Sequence, residues 1–110
     1  VLMCVGVKPN SEIAKNAGLE TGQRGHIIVD KFLRTSDPDV YAAGDVIEIP
    51  DPILGGSITV PLAGPANRQA RIVADNMLGR SVKYPGSFGA SIIKIGSLTA
   101  ASVGLTERRL

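Results

Sequence analysis

The sequence is short of the residues that mark several classes of protein. Cys4 is the only cysteine, so no disulfide can form within the chain, and no Cys/His cluster of the metal-binding kind is present. No apolar run approaches the ~18–20 residues that span a bilayer, and no signal-peptide pattern opens the chain. We therefore expect no membrane segment, no metal site and a reducing, cytoplasmic setting.

Aromatic residues and net charge are also scarce. The chain has no tryptophan, 2 phenylalanines and 2 tyrosines, and its 12 Lys and Arg against 10 Asp and Glu give a net charge of +2. A basic patch interleaved with aromatic side chains, which is typical of nucleic-acid binding, is therefore missing. The length of 110 residues and the apolar fraction of 44% suit one small packed domain. We expect no nucleic-acid partner.

The most informative stretch is residues 35–46. Ser-Asp-Pro-Asp at 36–39 is a turn signal, because proline presets φ and the flanking aspartates favour turns. Residues 40–43 predict a short buried strand that ends at Gly44 and Asp45. Ligands of open α/β sheets lie beyond the carboxyl ends of the strands; Gly44 permits close approach, and Asp45 offers acceptor oxygens for hydroxyl groups. Two interpretations stay open, a ligand-binding strand end or a strand that merely ends in Gly-Asp.

The longest predicted helix begins within residues 61–65 and runs to Leu78, with Gly79 ending it. One face of this helix, at helical spacing, carries Ala66, Ala70, Val73, Ala74 and Met77. That face predicts close packing against a sheet. No Ser, Thr, Asp or Asn caps the start, so the first N–H groups need water or an electron-rich ligand atom. Either Pro65 or Pro61 is the first helical residue, the latter with Pro65 tolerated inside the first turn.

Shorter signals lie in the first part of the chain. The apolar run at residues 1–5 predicts a strand covered on both faces, with Cys4 as a small buried hydrophobe. Ser11 is expected to cap a short helix that reaches residue 17, and Gly18 to end that helix in a left-handed conformation.

Three more features separate these helices from the end of the chain. Residues 27–29 predict a strand, and His26 before them is interpreted as a turn or surface residue. Residues 47–59 contain prolines and glycines and predict a long irregular connection that is too broken for a helix. Residues 90–95 and 98–103 flank a Gly-Ser pair, which predicts an antiparallel hairpin.

Four segments, in order, resemble the pyridine nucleotide-disulfide oxidoreductases, which are FAD enzymes reduced by NADH or NADPH. Residues 35–46 resemble their second FAD motif, in which a strand ends in Ala-Gly-Asp. Residues 5–10 resemble the return from the NAD(P)H domain to the FAD domain, residues 61–71 the helix aimed at the flavin, and residues 89–105 the opening of the dimerisation domain. Within the family, Pro-Leu-Ala-Gly-Pro-Ala-Asn is most similar to coenzyme A-disulfide reductases and the related NADH oxidases and persulfide reductases.

The resemblance implies roles in binding for particular residues. Asp45 would hydrogen-bond the ribityl hydroxyls of FAD, and Gly44 would let the chain approach the cofactor closely. The pyrimidine edge of the flavin would be lined by Pro61, Leu62 and Ala63. The Ala63 amide would donate to a flavin carbonyl, and the helix dipole would favour negative charge on the reduced ring. Both roles favour the helix start at Pro61 over the start at Pro65.

The resemblance also implies a domain division and several absences. Gly6 would lie near the nicotinamide. The family's first FAD motif, its redox cysteine and its NAD(P)H-binding glycine motif belong upstream of this sequence. Cys4 does not match the redox cysteine. The implied fold is α/β, with a partial Rossmann-like domain. Residues 1–80 would contain the end of the NAD(P)H domain and the C-terminal part of the FAD domain. Residues 81–86 would be a linker, and residues 87–110 would begin an α+β dimerisation domain. We expect a piece of a longer homodimeric enzyme, without a catalytic residue of its own.

Two functions are consistent with these features. The first is the FAD-binding segment of a flavin-dependent NAD(P)H:disulfide oxidoreductase, in which hydride passes from NAD(P)H to FAD and then to a cysteine-based disulfide or to oxygen. In that case the chain alone would neither retain FAD tightly nor turn over. The second is a non-catalytic Rossmann-like module with a structural or interaction role.

Overall fold

The computed structural model describes residues 1–105 and 107, which form a mixed α/β arrangement. The elements, in chain order, are α1 (Glu12–Asn16), β1 (Ile27–Ile28), β2 (Ile47–Pro50), β3 (Ser57–Ile58), α2 (Ala63–Met77), β4 (Ser91–Ile95) and β5 (Leu98–Ser102). β1 pairs in parallel with β2, and β2 pairs antiparallel with β3, to give one three-stranded sheet. β4 and β5 form a separate antiparallel pair. The predicted α/β class is confirmed.

The core lies at the parallel pair of strands. Ile27 pairs with Ile47, and inward-facing residues recur at every second position along both segments, as the strand period requires. The buried apolar side chains are Ala14, Ile27, Val29, Leu33, Ile47, Ile49, Ile72 and Tyr84. This set draws on both helices and on the segment after α2, so the core joins parts of the chain that are far apart in sequence.

The buried face of α2 is not the predicted one. Its buried residues are Gln69, Ile72 and Asn76. Of the predicted alanine-rich face, Ala70 and Ala74 are exposed and Met77 is 68% exposed. The prediction was wrong because it ranked helix positions by apolar character alone, whereas two of the three buried side chains are carboxamides.

Asn76 shows why a polar side chain is stable in this position. Its Nδ2 donates to the carbonyls of Phe32 at 2.9 Å and Val82 at 3.0 Å. Its Oδ1 accepts the Val82 amide at 2.7 Å. A buried carboxamide is compatible with a core when its donors and acceptor have partners. Asn76 therefore fastens two loops to the C-terminal end of α2.

The predicted buried strand at residues 40–43 is wrong. Within the described part of the chain, Tyr41 forms one isolated bridge with Arg34 and no continuous ladder. Val40 is exposed, and the three residues after it are half-buried. A strand needs a neighbouring strand along its whole length. Here the local turn supplies only single bonds, such as the Thr35 amide to the Val40 carbonyl at 2.9 Å.

The predicted strand at residues 1–5 is wrong for the same reason. These residues have no regular secondary structure, and their side chains are exposed, that of Val5 at 84%. Cys4 is exposed as well, so its interpretation as a small buried hydrophobe is also wrong. An apolar run becomes a two-sided buried strand only where other strands flank it, and no described residues pair with this run.

The short helix is confirmed, but its predicted cap is not. Ser11 precedes α1 without a side-chain capping bond. Its buried hydroxyl instead donates to the carbonyl of Gly25, 14 residues away. Gly18 ends the helix as predicted, with φ of +79° and its amide donating to the Lys15 carbonyl at 2.9 Å. The cap prediction failed because a non-local acceptor competes for the Ser11 hydroxyl.

Residues 47–59 are more regular than predicted. They contain no helix, as predicted, but they form β2 and β3, which pair between Ile49 and Ile58. The tip of this hairpin is held by Asp51, whose Oδ1 accepts the Ile53 amide at 2.8 Å. β1 confirms the first two residues of the strand predicted at residues 27–29.

The second hairpin and the end of α2 agree with the sequence. β4 and β5 pair in register from Ser91 with Ser102 to Ile95 with Leu98, and Gly79, with φ of +88°, follows the end of α2. The proposed division at residues 81–86 stays a prediction, and residues 106 and 108–110 of the predicted last unit lie outside the described residues. Among the described helices, none has the length and apolar character to cross a bilayer.

Candidate functional site

The chain turns sharply at Gly44. Its φ of +87° is a left-handed value that side chains with a Cβ rarely adopt. The Gly44 carbonyl accepts the Ile47 amide at 3.3 Å, which leads the chain into β2. Asp45 follows and is exposed, so its carboxylate presents acceptor oxygens at the outside of the turn.

Gln69 ties this turn to α2. Its Oε1 accepts the Gly44 amide at 2.8 Å across 25 residues of sequence, and the residue is only 2% exposed. A Cβ built on Gly44 would lie 4.0 Å from the Cβ of Ala66, so the first turn of α2 packs directly beside the glycine. The two stretches that stand out in the sequence are therefore neighbours in space.

The start of α2 has no side-chain cap among the described residues, as predicted. Leu62 occupies the N-cap position in an extended conformation, with φ of −136° and ψ of 139°. Ala63 is the first helical residue, so neither Pro61 nor Pro65 begins the helix. Pro65 lies inside the first turn, where its missing N–H removes no intrahelical bond. The first such bond runs from the Ala66 amide to the Leu62 carbonyl at 3.1 Å, and the earlier N–H groups form a positive helix end.

A groove of about 720 Å³ lies at this corner of the molecule. Its lining includes three of the six predicted binding residues, namely Gly6, Asp45 and Pro61. The other three predicted residues do not line the groove: Gly44 directly precedes Asp45, and Leu62 and Ala63 follow Pro61. The structure therefore brings segments from residues 5–10, from the Asp45 turn and from the approach to α2 to one groove.

The walls of the groove combine charged, hydroxyl and apolar groups. Lys8 and Arg24 contribute cationic donors, Thr59 contributes a hydroxyl, and His26 also lines the wall. The volume lies within the roughly 300–1,000 Å³ that is usual for small-molecule sites. With the Asp45 carboxylate, this set suits an elongated ligand that carries hydroxyl groups and anionic groups.

Gln69 is not among the binding residues predicted from the sequence. The available signal was the stripe of positions 69, 72, 73 and 76, which follows the i, i+3, i+4, i+7 spacing of a helix face. That stripe contains a glutamine and an asparagine, and the alanine-rich stripe looked more apolar. The partner that makes a buried glutamine stable at position 69 is the Gly44 amide, which is 25 residues away in the sequence.

The side chains of the groove are suited to binding. Cys4 is not among the residues that line it, and no group of three His, Cys, Asp or Glu residues within the described chain could hold a metal ion. What the corner offers is a carboxylate acceptor, cationic donors and the N-terminal end of a helix. Each of these recognises a ligand without covalent chemistry.

The sequence matches known oxidoreductases along nearly its whole length. The family model described as pyridine nucleotide-disulphide oxidoreductase matches residues 1–70. The NAD(P)H sulfur oxidoreductase (CoA-dependent) of Pyrococcus furiosus is 38% identical over 107 residues, which cover 97% of this chain and 24% of that protein. The coenzyme A disulfide reductase of Staphylococcus epidermidis is 36% identical over 107 residues, covering 96% of this chain and 24% of that protein. The chain thus spans about a quarter of the length of these curated relatives.

Solved structures agree with the sequence match. The crystal structure of a FAD-dependent pyridine nucleotide-disulphide oxidoreductase from Desulfovibrio vulgaris has a TM-score of 0.91 and 40% identity, covering 96% of this chain and 27% of that chain. Proteins named NADH oxidase also match. The predicted Rossmann-like character of the fold is therefore confirmed.

Proposed function

Because the chain belongs to the pyridine nucleotide-disulphide oxidoreductase family, we propose that it is the FAD-binding segment of a flavin-dependent NAD(P)H:disulfide oxidoreductase of the coenzyme A-disulfide reductase or NADH oxidase type. The observation that carries this proposal is the corner at which Gln69 joins the Gly44 turn to the uncapped start of α2. Asp45 and Pro61 meet there at one groove. A ligand that carries hydroxyl groups and anionic groups, as FAD does, matches that combination of groups.

The residues of the corner fit the ribityl chain and the flavin ring of FAD. The exposed Asp45 carboxylate can accept hydrogen bonds from ribityl hydroxyls. Pro61 and Leu62 would supply apolar contact to the pyrimidine edge. The Ala63 amide, at the positive end of α2, would donate to a ring carbonyl. Negative charge on the reduced ring is stabilised by such a helix end, typically by about 0.3–1 kcal/mol.

The chain's own contribution is to bind and orient the reactants. When bound, FAD supplies the redox chemistry, taking hydride from NAD(P)H and passing the electrons to a disulfide or to oxygen. Gly6 lies across the same groove, where the absence of a side chain leaves room for the nicotinamide. Cys4 lies outside the lining, so the disulfide chemistry belongs to a cysteine elsewhere in the complete enzyme.

The rest of the proposed organisation follows from the same family membership. We assign residues 1–80 to the end of the NAD(P)H domain and the last part of the FAD domain, and residues 87–110 to the start of a dimerisation domain. The complete enzyme would be a homodimer. A cytoplasmic location is consistent with the single cysteine, because disulfide-rich chains are characteristic of oxidising compartments.

The first test replaces Asp45 by alanine in the complete enzyme. The FAD dissociation constant, measured by titrating apoenzyme with FAD, should rise tenfold or more, since a hydrogen bond to a charged group contributes about 1.5–3 kcal/mol. The control is Asp39→Ala, an exposed aspartate in the same stretch that does not line the groove, and it should leave FAD affinity unchanged. Wild-type affinity in the Asp45 variant would contradict the assigned role.

The isolated 110-residue chain provides a second measurement in the same test. It should neither retain stoichiometric FAD through purification nor oxidise NAD(P)H, because it supplies only part of the proposed FAD site and no redox cysteine. A stoichiometric flavin absorbance in the purified chain would contradict this expectation. A complete protein that contains no FAD at all would favour the non-catalytic Rossmann-like module instead.

A further inference from the structure

We propose that Gln69 is a positioning residue, which acts on FAD through the Gly44 backbone by fixing the direction in which Asp45 points. This inference rests on the proposed function, in which Asp45 binds the ribityl chain. Gln69 itself lies inside the fold and is 2% exposed. Its effect on the ligand is therefore transmitted by the turn.

The turn is fastened at both polar atoms of one glycine. The Gly44 amide donates to Gln69 Oε1 at 2.8 Å, and the Gly44 carbonyl accepts the Ile47 amide at 3.3 Å. These two bonds hold the Gly44 backbone, with its φ of +87°, in one orientation. The orientation of the Gly44 backbone in turn sets the direction of the Cα–Cβ bond of the next residue, Asp45. Of the two fastenings, only the one from Gln69 links the turn to α2, the helix whose first turn faces the same corner.

The length and placement of the side chain explain the choice of glutamine. Gln69 lies one turn beyond Ala66, which packs beside Gly44. Its carboxamide therefore reaches back along the helix toward the N-terminal end, the direction in which helical side chains lean. An acceptor is required at that point, because the partner is a half-buried N–H group that would otherwise lack a bond. Gln69 thus couples the position of the helix end to the position of the Asp45 carboxylate.

The chain contains a matched control for a merely structural role. Asn76 is the other buried carboxamide of α2, about 10 Å further along the axis at 1.5 Å per residue. It makes three hydrogen bonds with Phe32 and Val82, at 2.7–3.0 Å, whereas Gln69 accepts one described bond, from the Gly44 amide. If FAD binding depended only on the stability of α2, losing Asn76 would weaken it at least as much as losing Gln69. A positioning role predicts the reverse order.

The experiment compares isosteric variants in the complete FAD-loaded enzyme. Gln69→Met removes the strong hydrogen-bond acceptor, whereas Gln69→Glu keeps an acceptor oxygen in either protonation state. Asn76→Leu removes the other buried carboxamide of α2. If Asn76→Leu does not fold, Asn76→Asp takes its place, since it keeps an acceptor for the Val82 amide. The readouts are the FAD dissociation constant and hydrogen–deuterium exchange of the peptide that contains Gly44 in the apoenzyme.

Gln69→Met should raise the FAD dissociation constant and the Gly44 exchange rate about tenfold each, the effect expected when a buried donor loses its partner. Gln69→Glu should restore most of both, and the Asn76 variant should change neither. The inference is overturned if Gln69→Met binds FAD like the wild type, or if the Asn76 variant loses as much affinity. An Asp45→Ala enzyme that binds FAD normally would instead overturn the proposed function, so the two failures are distinguishable.

Discussion

Replacing Gly44 by alanine should destabilise the fold by about 1–2 kcal/mol, because a left-handed φ brings Cβ close to the neighbouring carbonyl oxygen. Gly44 has φ of +87°. Its surroundings add no steric cost, since the nearest atom to the new Cβ would be that of Ala66 at 4.0 Å, an ordinary van der Waals distance. The whole loss should therefore come from the backbone conformation.

Gly64→Ala is the control: it is the same substitution, but it should raise the free energy of unfolding. Gly64 is the second residue of α2, and a Cβ built there meets no atom within 4 Å. Alanine in place of a helical glycine typically stabilises by about 0.5–1 kcal/mol. The free energies of unfolding of Gly44→Ala and Gly64→Ala should therefore differ by roughly 1.5–3 kcal/mol, with the wild type between them.

Urea unfolding of the chain, followed by circular dichroism, measures this difference. Both variants should keep the wild-type dependence on denaturant, so that only the midpoint moves. In thermal unfolding, each kcal/mol should shift the midpoint by about 4–8 °C for a domain of up to 100 residues and somewhat less for a longer one. Equal stability of Gly44→Ala and the wild type, or a larger loss at Gly64 than at Gly44, would refute the conformational reasoning.

Two further predictions concern the turn before the site and the exposed hairpin. Asp30 Oδ1 accepts the amides of Phe32 at 2.8 Å and Arg34 at 3.0 Å, and this turn holds buried Leu33 at φ of +64°. Asp30→Ala should lower the free energy of unfolding by about 1–2 kcal/mol, whereas Asp30→Asn, which keeps the acceptor, should lose less; equal losses would contradict this. The isolated chain should also self-associate as its concentration rises, because β4 and β5 expose side chains such as Ile92 at 75%. Sedimentation equilibrium measures this, Ile92→Thr should weaken it, and a strictly monomeric chain at high concentration would contradict it.

Local signals in the sequence were sufficient for some elements. The β4–β5 hairpin follows from two apolar runs around Gly96, and the helix stops at Gly18 and Gly79 follow from the need for a left-handed residue there. The uncapped start of α2 could also be read from the sequence, since no capping residue is present. In each case, the interactions that decide the structure lie within a few residues of one another.

Strands and buried polar residues were predicted less well. The apolar runs at residues 1–5 and 40–43 have the composition of strands, but composition does not supply the neighbouring strand that a ladder requires. Ser11, Gln69 and Asn76 all bond to backbone groups that are 14, 25 and 44 residues away, respectively. No local pattern states where such partners lie.

For the candidate site, the sequence by itself determined which groups are present: an Ala-Gly-Asp turn, a helix without a cap, and a single cysteine. It also determined the family, through motifs in a fixed order. The tertiary structure alone decided that Asp45, Pro61 and Gly6 line one groove, and that Gln69 holds the Gly44 turn against α2. The physical reason is that residue type and local conformation are encoded over a few positions. The Gly44 turn before Asp45 is tied to α2 by a hydrogen bond across 25 residues of sequence, which only the folded chain can form.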